Sequence, residues 1–108
     1  MASTNGEADR PIRVEQQPRA QRQLEGLRDL ALARRVALSF AEDLRTVLGR
    51  LKTDPVGWGD SLNDYKSLGM IRRRGQSVFV YVDYTYHPGL RTVTVQGWQV
   101  NPYGPLGG

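Results

Sequence analysis

Apolar positions along the chain follow two periods, three-and-four between residues 18 and 52 and two between residues 70 and 100. The second regime sets the sheet. Val78, Val80 and Val82 alternate with Phe79, Tyr81 and Asp83, and such β-branched and aromatic residues suit a pleated, half-buried strand. This predicts a central strand. His87-Pro88-Gly89 follows, with Pro88 fixing φ at a first turn position and Gly89 supplying the positive φ of a type II turn. Residues 90–95 then return as an antiparallel partner, Val93 and Val95 on one face and Thr92 and Thr94 on the other. The apolar phase changes at Gly97 and resumes at Trp98 and Val100, which predicts a β-bulge or a strand end. Residues 70–74 form a third antiparallel strand, closed by a hairpin through Gly75-Gln76. Arg72, Arg73 and Arg74 succeed one another in it, so the strand sends at least one guanidinium to each face.

The helical regime begins at Pro18, a residue suited to the first turn of a helix. Ala20, Leu24 and Leu27 make its apolar side, and Gly26 and Asp29 predict a break with Asp29 capping a second helix. That second helix is expected over residues 30–52, where Ala33, Val36, Phe40, Leu44, Val47, Leu48 and Leu51 recur at helical spacing. The two form an αα-hairpin that must bury its apolar stripe on the sheet. Ahead of them Ile12 and Val14 share one face of a short strand, and residues 1–10 read as a disordered leader. Residues 53–69, with Pro55, Gly57, Gly59, Asn63 and Gly69, read as a long surface connection, and 104–108 as a flexible tail. The expected architecture is one α+β domain over residues 11–103: an N-terminal strand, an αα-hairpin, then a three-stranded antiparallel sheet.

Composition narrows the chemistry. The 108 residues contain no cysteine and one histidine, which removes disulfides, thiolate chemistry and the usual zinc patterns. No glycine-rich phosphate loop or other cofactor motif is present, so neither metal nor cofactor is expected. There is no apolar run long enough to span a bilayer and no basic-then-apolar start, which predicts a cytoplasmic protein. A net charge of +4 favours nucleic acid or another acidic surface as partner. The positive charge belongs to the helices and the sheet, while residues 53–69 are acidic.

In class and spacing the chain resembles the RelE/ParE superfamily of toxins from bacterial type II toxin-antitoxin modules. The residues that carry the likeness are Ile12-Arg13-Val14, Pro18-Arg19-Ala20 with Leu24, residues 48–55 (L-G-R-L-K-T-D-P), Arg74-Gly75-Gln76, and residues 78–82 (V-F-V-Y-V). The resemblance implies a toxin that binds and cleaves messenger RNA on the ribosome, or alternatively blocks DNA gyrase without catalysis, with an antitoxin protein as its partner. A degenerate domain kept for interaction alone is a third reading. If an enzyme, such a chain is a metal-independent endoribonuclease. By the same resemblance Lys66 matches a lysine region, Arg72 and Arg74 the arginine of the basic strand, and Tyr103 the terminal aromatic. Val78 and Asn101 stand where the ribonuclease branch carries basic residues, which favours the non-catalytic alternative.

Metal-independent RNA cleavage needs a proton acceptor at the 2′-OH, a donor to the leaving oxygen and cations on the phosphorane. Arg72 and Arg74, two apart on a strand, point to one face and could clamp a phosphate. Consecutive arginines also keep an exposed sheet soluble and unpaired, an equally good account of them. Lys66, Arg73 and Tyr81 are candidate nucleic-acid contacts, Tyr81 by stacking on a base. His87 reads as a solvent-exposed turn histidine, and Trp58 as a plug at the end of the core with partner anchoring as the alternative. Arg34 and Arg35 read as a solvated helix face and are the candidates for a protein partner.

Overall fold

The computed structural model describes residues 11–65 and 69–107. The expected leader and Lys66 lie outside these residues. The fold is mixed α+β, a five-stranded sheet with helices on one face. The chain runs β1 (Arg13–Gln16), α1 (Pro18–Ala33), α2 (Ala37–Thr53), a single helical turn α3 (Pro55–Trp58), β2 (Asp60–Tyr65), β3 (Met70–Gln76), β4 (Val80–His87), a 3-10 turn (Pro88–Leu90) and β5 (Thr92–Val100).

Strand order across the sheet is β1-β5-β4-β3-β2. The three expected strands pair antiparallel as β3, β4 and β5, but two more flank them. β1 adds to β5 in parallel, Val14 beside Val93, so the sheet is mixed and not purely antiparallel. β2 pairs with β3 and comes from the stretch expected to be loop. Its sequence, Asp60-Ser61-Leu62-Asn63-Asp64-Tyr65, is poor in strand formers. It becomes a strand because the edge of β3 offers a row of unpaired backbone groups that must be satisfied.

The helix break also moves. α1 continues through Gly26 and Asp29, both on its solvent side, where a glycine costs only about 1 kcal/mol of propensity. The chain reverses at Arg34–Val36. Val36 N donates to Ala31 O at 2.9 Å, Arg35 N to Leu32 O at 3.1 Å, and Arg35 takes φ 61°, the pattern of a Schellman end with arginine where glycine is usual. Val36, not Asp29, therefore precedes α2. The β3–β4 turn lies at Ser77–Phe79, past the expected Gly75-Gln76, and its geometry is held by α2. Asp43 accepts from Ser77 Oγ at 2.7 Å and from Phe79 N at 3.0 Å. Beyond His87 the left-handed residue is Arg91 at φ 47°, not Gly89.

The core lies between the helices and one sheet face. Ala20, Leu24, Leu27 and Ala31 of α1 and Phe40, Leu44, Val47 and Leu51 of α2 cover Val80, Val82, Tyr84 and Tyr86 of β4 and Val93, Val95 and Trp98 of β5. Each fully buried aliphatic side chain contributes roughly 1.5–3 kcal/mol. The expected phase change is a bulge: Asp83 faces Gly97 and Tyr84 faces Val95, so Gln96 is the extra residue and Trp98 returns to the core side. Leu106 is buried as well, so part of the segment expected to be a flexible tail closes onto the core.

Candidate functional site

Strand register sorts the arginines. Arg73 stands opposite Tyr84 and Arg72 opposite Thr85, with Arg74 opposite Asp83. Because Tyr84 belongs to the core, Arg73 points to the helix-covered side, where its Nη1 donates to Gly59 O at 3.1 Å. Arg72 and Arg74 share the open face with Tyr81, Asp83, Thr85 and His87 of β4. The two differ in state. Arg74 is held by Asp83 through Nε at 2.6 Å and Nη2 at 3.1 Å, and this carboxylate raises the Arg74 pKa above its ordinary value. Arg72 forms no ion pair among the described residues, and its Nε is enclosed without a hydrogen-bond partner. It lies alongside Thr85, which is only 2% exposed although it faces away from the helices.

The helix-covered side has its own polar arrangement beneath Trp58. Asp54 accepts from Gly57 N at 3.0 Å and shapes the turn of α3, which lays the Trp58 ring over Gly75. A Cβ at Gly75 would fall within that ring, so β3 needs glycine here. Trp58 stacks on Tyr84 with centroids 6.1 Å apart, and the Tyr84 hydroxyl donates to Pro55 O. Burial pushes the Tyr84 pKa up to about 12. Trp58 thus closes the end of the core.

The other candidates are dispersed. Tyr81 is half-buried on the open face, two residues before Asp83 and opposite Gln76 and Gln99. Tyr103 is 90% exposed at the hairpin end of the sheet. Its backbone N donates to Asn101 Oδ1, while Asn101 is buried and donates from Nδ2 to Ser77 O at 2.8 Å. Asn101 is a latch for the chain end, and Tyr103 does not meet Arg72. Arg34 and Arg35 form the exposed corner between the helices. His87 is the last residue of β4, half-buried opposite Thr92, rather than a free turn residue.

Two recesses of the described surface bear on the candidates. One is polar, of about 360 Å³, walled by Arg72, Asp83, Gln96, Gly97 and Gln99 of the sheet and by Gln17, Arg19 and Gln23 where β1 leads into α1. It exists because β1 ends opposite Val95 and leaves the rest of β5 without a strand on that side. Gln23 takes over there, accepting from Trp98 N at 2.8 Å. The other is an apolar groove of about 520 Å³ between the helices, floored by Ala31, Ala37, Phe40, Ala41 and Leu44 and rimmed by Arg28, Asp29 and Arg45. Gln23, Gln96 and Gln99 carried no sequence signal, since glutamines are common on any solvated face. Among the described residues no helix is long and apolar enough to cross a membrane.

Comparison with models of protein families, with curated proteins and with solved structures finds no match. The candidate site therefore rests on its own geometry.

Proposed function

We propose that this chain is a RelE/ParE-like toxin component that acts on translation by binding RNA across the open face of its sheet, restrained by an antitoxin protein. The element order supports the likeness: a strand, two helices, then antiparallel strands, with the first strand returning beside the last. One observation carries the RNA reading. Arg72 stands on the sheet face opposite the described helices and forms no ion pair among the described residues, with Arg74 two residues away, Tyr81 further along the same face, and threonine and glutamine side chains beside it. A guanidinium so placed takes a phosphate oxygen, and neighbouring hydroxyl and amide groups hold sugar and phosphate.

Binding is better supported than cleavage. Asp83 is occupied by Arg74, and Tyr103 is far along the sheet from Arg72. Binding to a labelled single-stranded oligoribonucleotide should fall about tenfold with Arg72→Ala and weaken steeply with salt. Equal binding by the variant would remove the reading. Induction of the chain alone should arrest growth, and Arg72→Ala should relieve it.

A second reading is favoured by the helix groove, whose apolar floor and charged rim of Arg28, Asp29 and Arg45 suit a protein partner such as gyrase. Inhibition of supercoiling by the purified chain, lost with Arg34→Glu and retained with Arg72→Ala, would establish this reading over the first.

A further inference from the structure

Two arginines wall the polar recess from different elements, Arg19 from the first turn of α1 and Arg72 from β3. Neither forms a hydrogen bond or an ion pair with any described residue. In Arg72 only Nε is enclosed, so its two terminal nitrogens reach the surface with their protons uncommitted. Asp83 walls the recess as well, but both of its oxygens are taken by Arg74, at 2.6 and 3.1 Å. Among the described residues the recess therefore gathers three guanidiniums against one carboxylate, an excess of two positive charges.

That excess distinguishes one kind of phosphate from another. A diester inside an RNA strand carries a single negative charge. A monoester at the end of a strand carries about 1.5 to 2 at pH 7 and presents three acceptor oxygens. Two guanidiniums free of carboxylates match the monoester. We propose that the recess holds the terminal phosphate monoester of an RNA strand, with Arg19 and Arg72 taking its oxygens and the amides of Gln17 and Gln99 facing the adjoining sugar. The inference rests on the RNA-binding reading given above and adds a strand-end subsite to it. The volume of about 360 Å³ lies at the lower end of small-molecule sites, roughly 300–1,000 Å³, which suits a phosphate with one sugar. Gln23 is held by Trp98 N at 2.8 Å, so that part of the wall is in place before a ligand enters. The start of α1 has no acidic residue in its first turn and no side-chain cap, which adds to the positive potential around Arg19.

The test is fluorescence anisotropy of the full chain with labelled single-stranded RNAs. Two eight-nucleotide strands carry a phosphate at the 5′ or the 3′ end. The control is a ten-nucleotide strand with hydroxyl ends, whose two extra diesters match the charge of the terminal monoester. One of the phosphorylated strands should bind about tenfold more tightly than the control. Arg19→Ala should bring the two within about twofold; Arg19 is exposed, so its loss leaves the fold in place. Equal affinity of the wild-type chain for phosphorylated and control strands overturns the strand-end subsite and leaves RNA binding standing. A preference that survives Arg19→Ala overturns its assignment to this recess. A nucleoside monophosphate that binds as tightly as the phosphorylated strand makes the ligand a free nucleotide and overturns the proposal too. No binding to any strand overturns both the subsite and the RNA reading.

Discussion

Arg72 and Arg73 are neighbours in the chain and live in different surroundings. Arg73 lies on the side of the sheet closed by Trp58, Tyr84 and the helices, where its guanidinium is bound to the Gly59 carbonyl and serves the packing of α3. Arg72 lies on the side that none of the described helices covers, over Thr85, with a polar recess beside it. The covered face is assembled from shape, with rings stacked above a glycine and a hydroxyl donating to a backbone carbonyl. The open face is assembled from charged and hydrogen-bonding side chains, with Arg74 held by Asp83 and Arg72 outside any ion pair among the described residues. The difference teaches that a run of like residues on a strand is not one functional unit, because alternation divides it between a structural face and a binding face.

Changes on the covered face should show the largest effects on stability. Gly75→Ala forces a methyl group into the Trp58 ring and should cost about 3 kcal/mol in denaturant melts, with loss of the Trp58–Tyr84 stacking signal in near-ultraviolet circular dichroism. A loss under about 0.5 kcal/mol would mean that Trp58 does not seal the core. The next effect depends on pH. Tyr84 keeps its proton to about pH 12 in the folded chain, whereas an unfolded tyrosine releases it near pH 10. Its contribution is fully present below pH 10 and lost as pH rises through about 12, at up to roughly 1.4 kcal/mol per pH unit. Tyr84→Phe should remove that slope, as measured by the difference in unfolding free energy between the two proteins.

On the open face the expected costs are smaller. Asp83→Asn removes the carboxylate from Arg74, whose side chain is 40% exposed, and should cost no more than about 1 kcal/mol while increasing RNA affinity by freeing a cation. Arg72→Ala should change stability by less than about 0.5 kcal/mol, yet it removes most RNA binding. A large stability loss there would assign Arg72 to the scaffold and erase the contrast between the faces.

Several parts of this arrangement were legible along the chain. Alternation over β4 and β5, the recurrence of Leu44, Val47, Leu48 and Leu51, and the phase slip at Gly97 each reflect a local rule of one period, and each appears in the structure. What failed was reading punctuation as breaks. Gly26 and Asp29 face solvent in α1, where propensity alone is too weak to stop a helix packed through Leu24 and Leu27. The true corner contains neither glycine nor proline and holds Arg35 in a left-handed conformation. β2 was illegible because its residues form a strand only when the edge of β3 is there to receive them.

The amino-acid sequence by itself determined that Arg72 and Arg74 must share a side and that Arg73 must oppose them, because successive side chains of any strand alternate. It also determined that the helices carry an apolar stripe, and hence that one side of the sheet is covered. Only the tertiary structure decided which side that is, which arginine is matched by a carboxylate, and where a recess is left when β1 stops short of the end of β5. Those outcomes depend on contacts between residues as much as 82 positions apart, such as Trp98 Nε1 donating to Gln16 Oε1, and no local period encodes them.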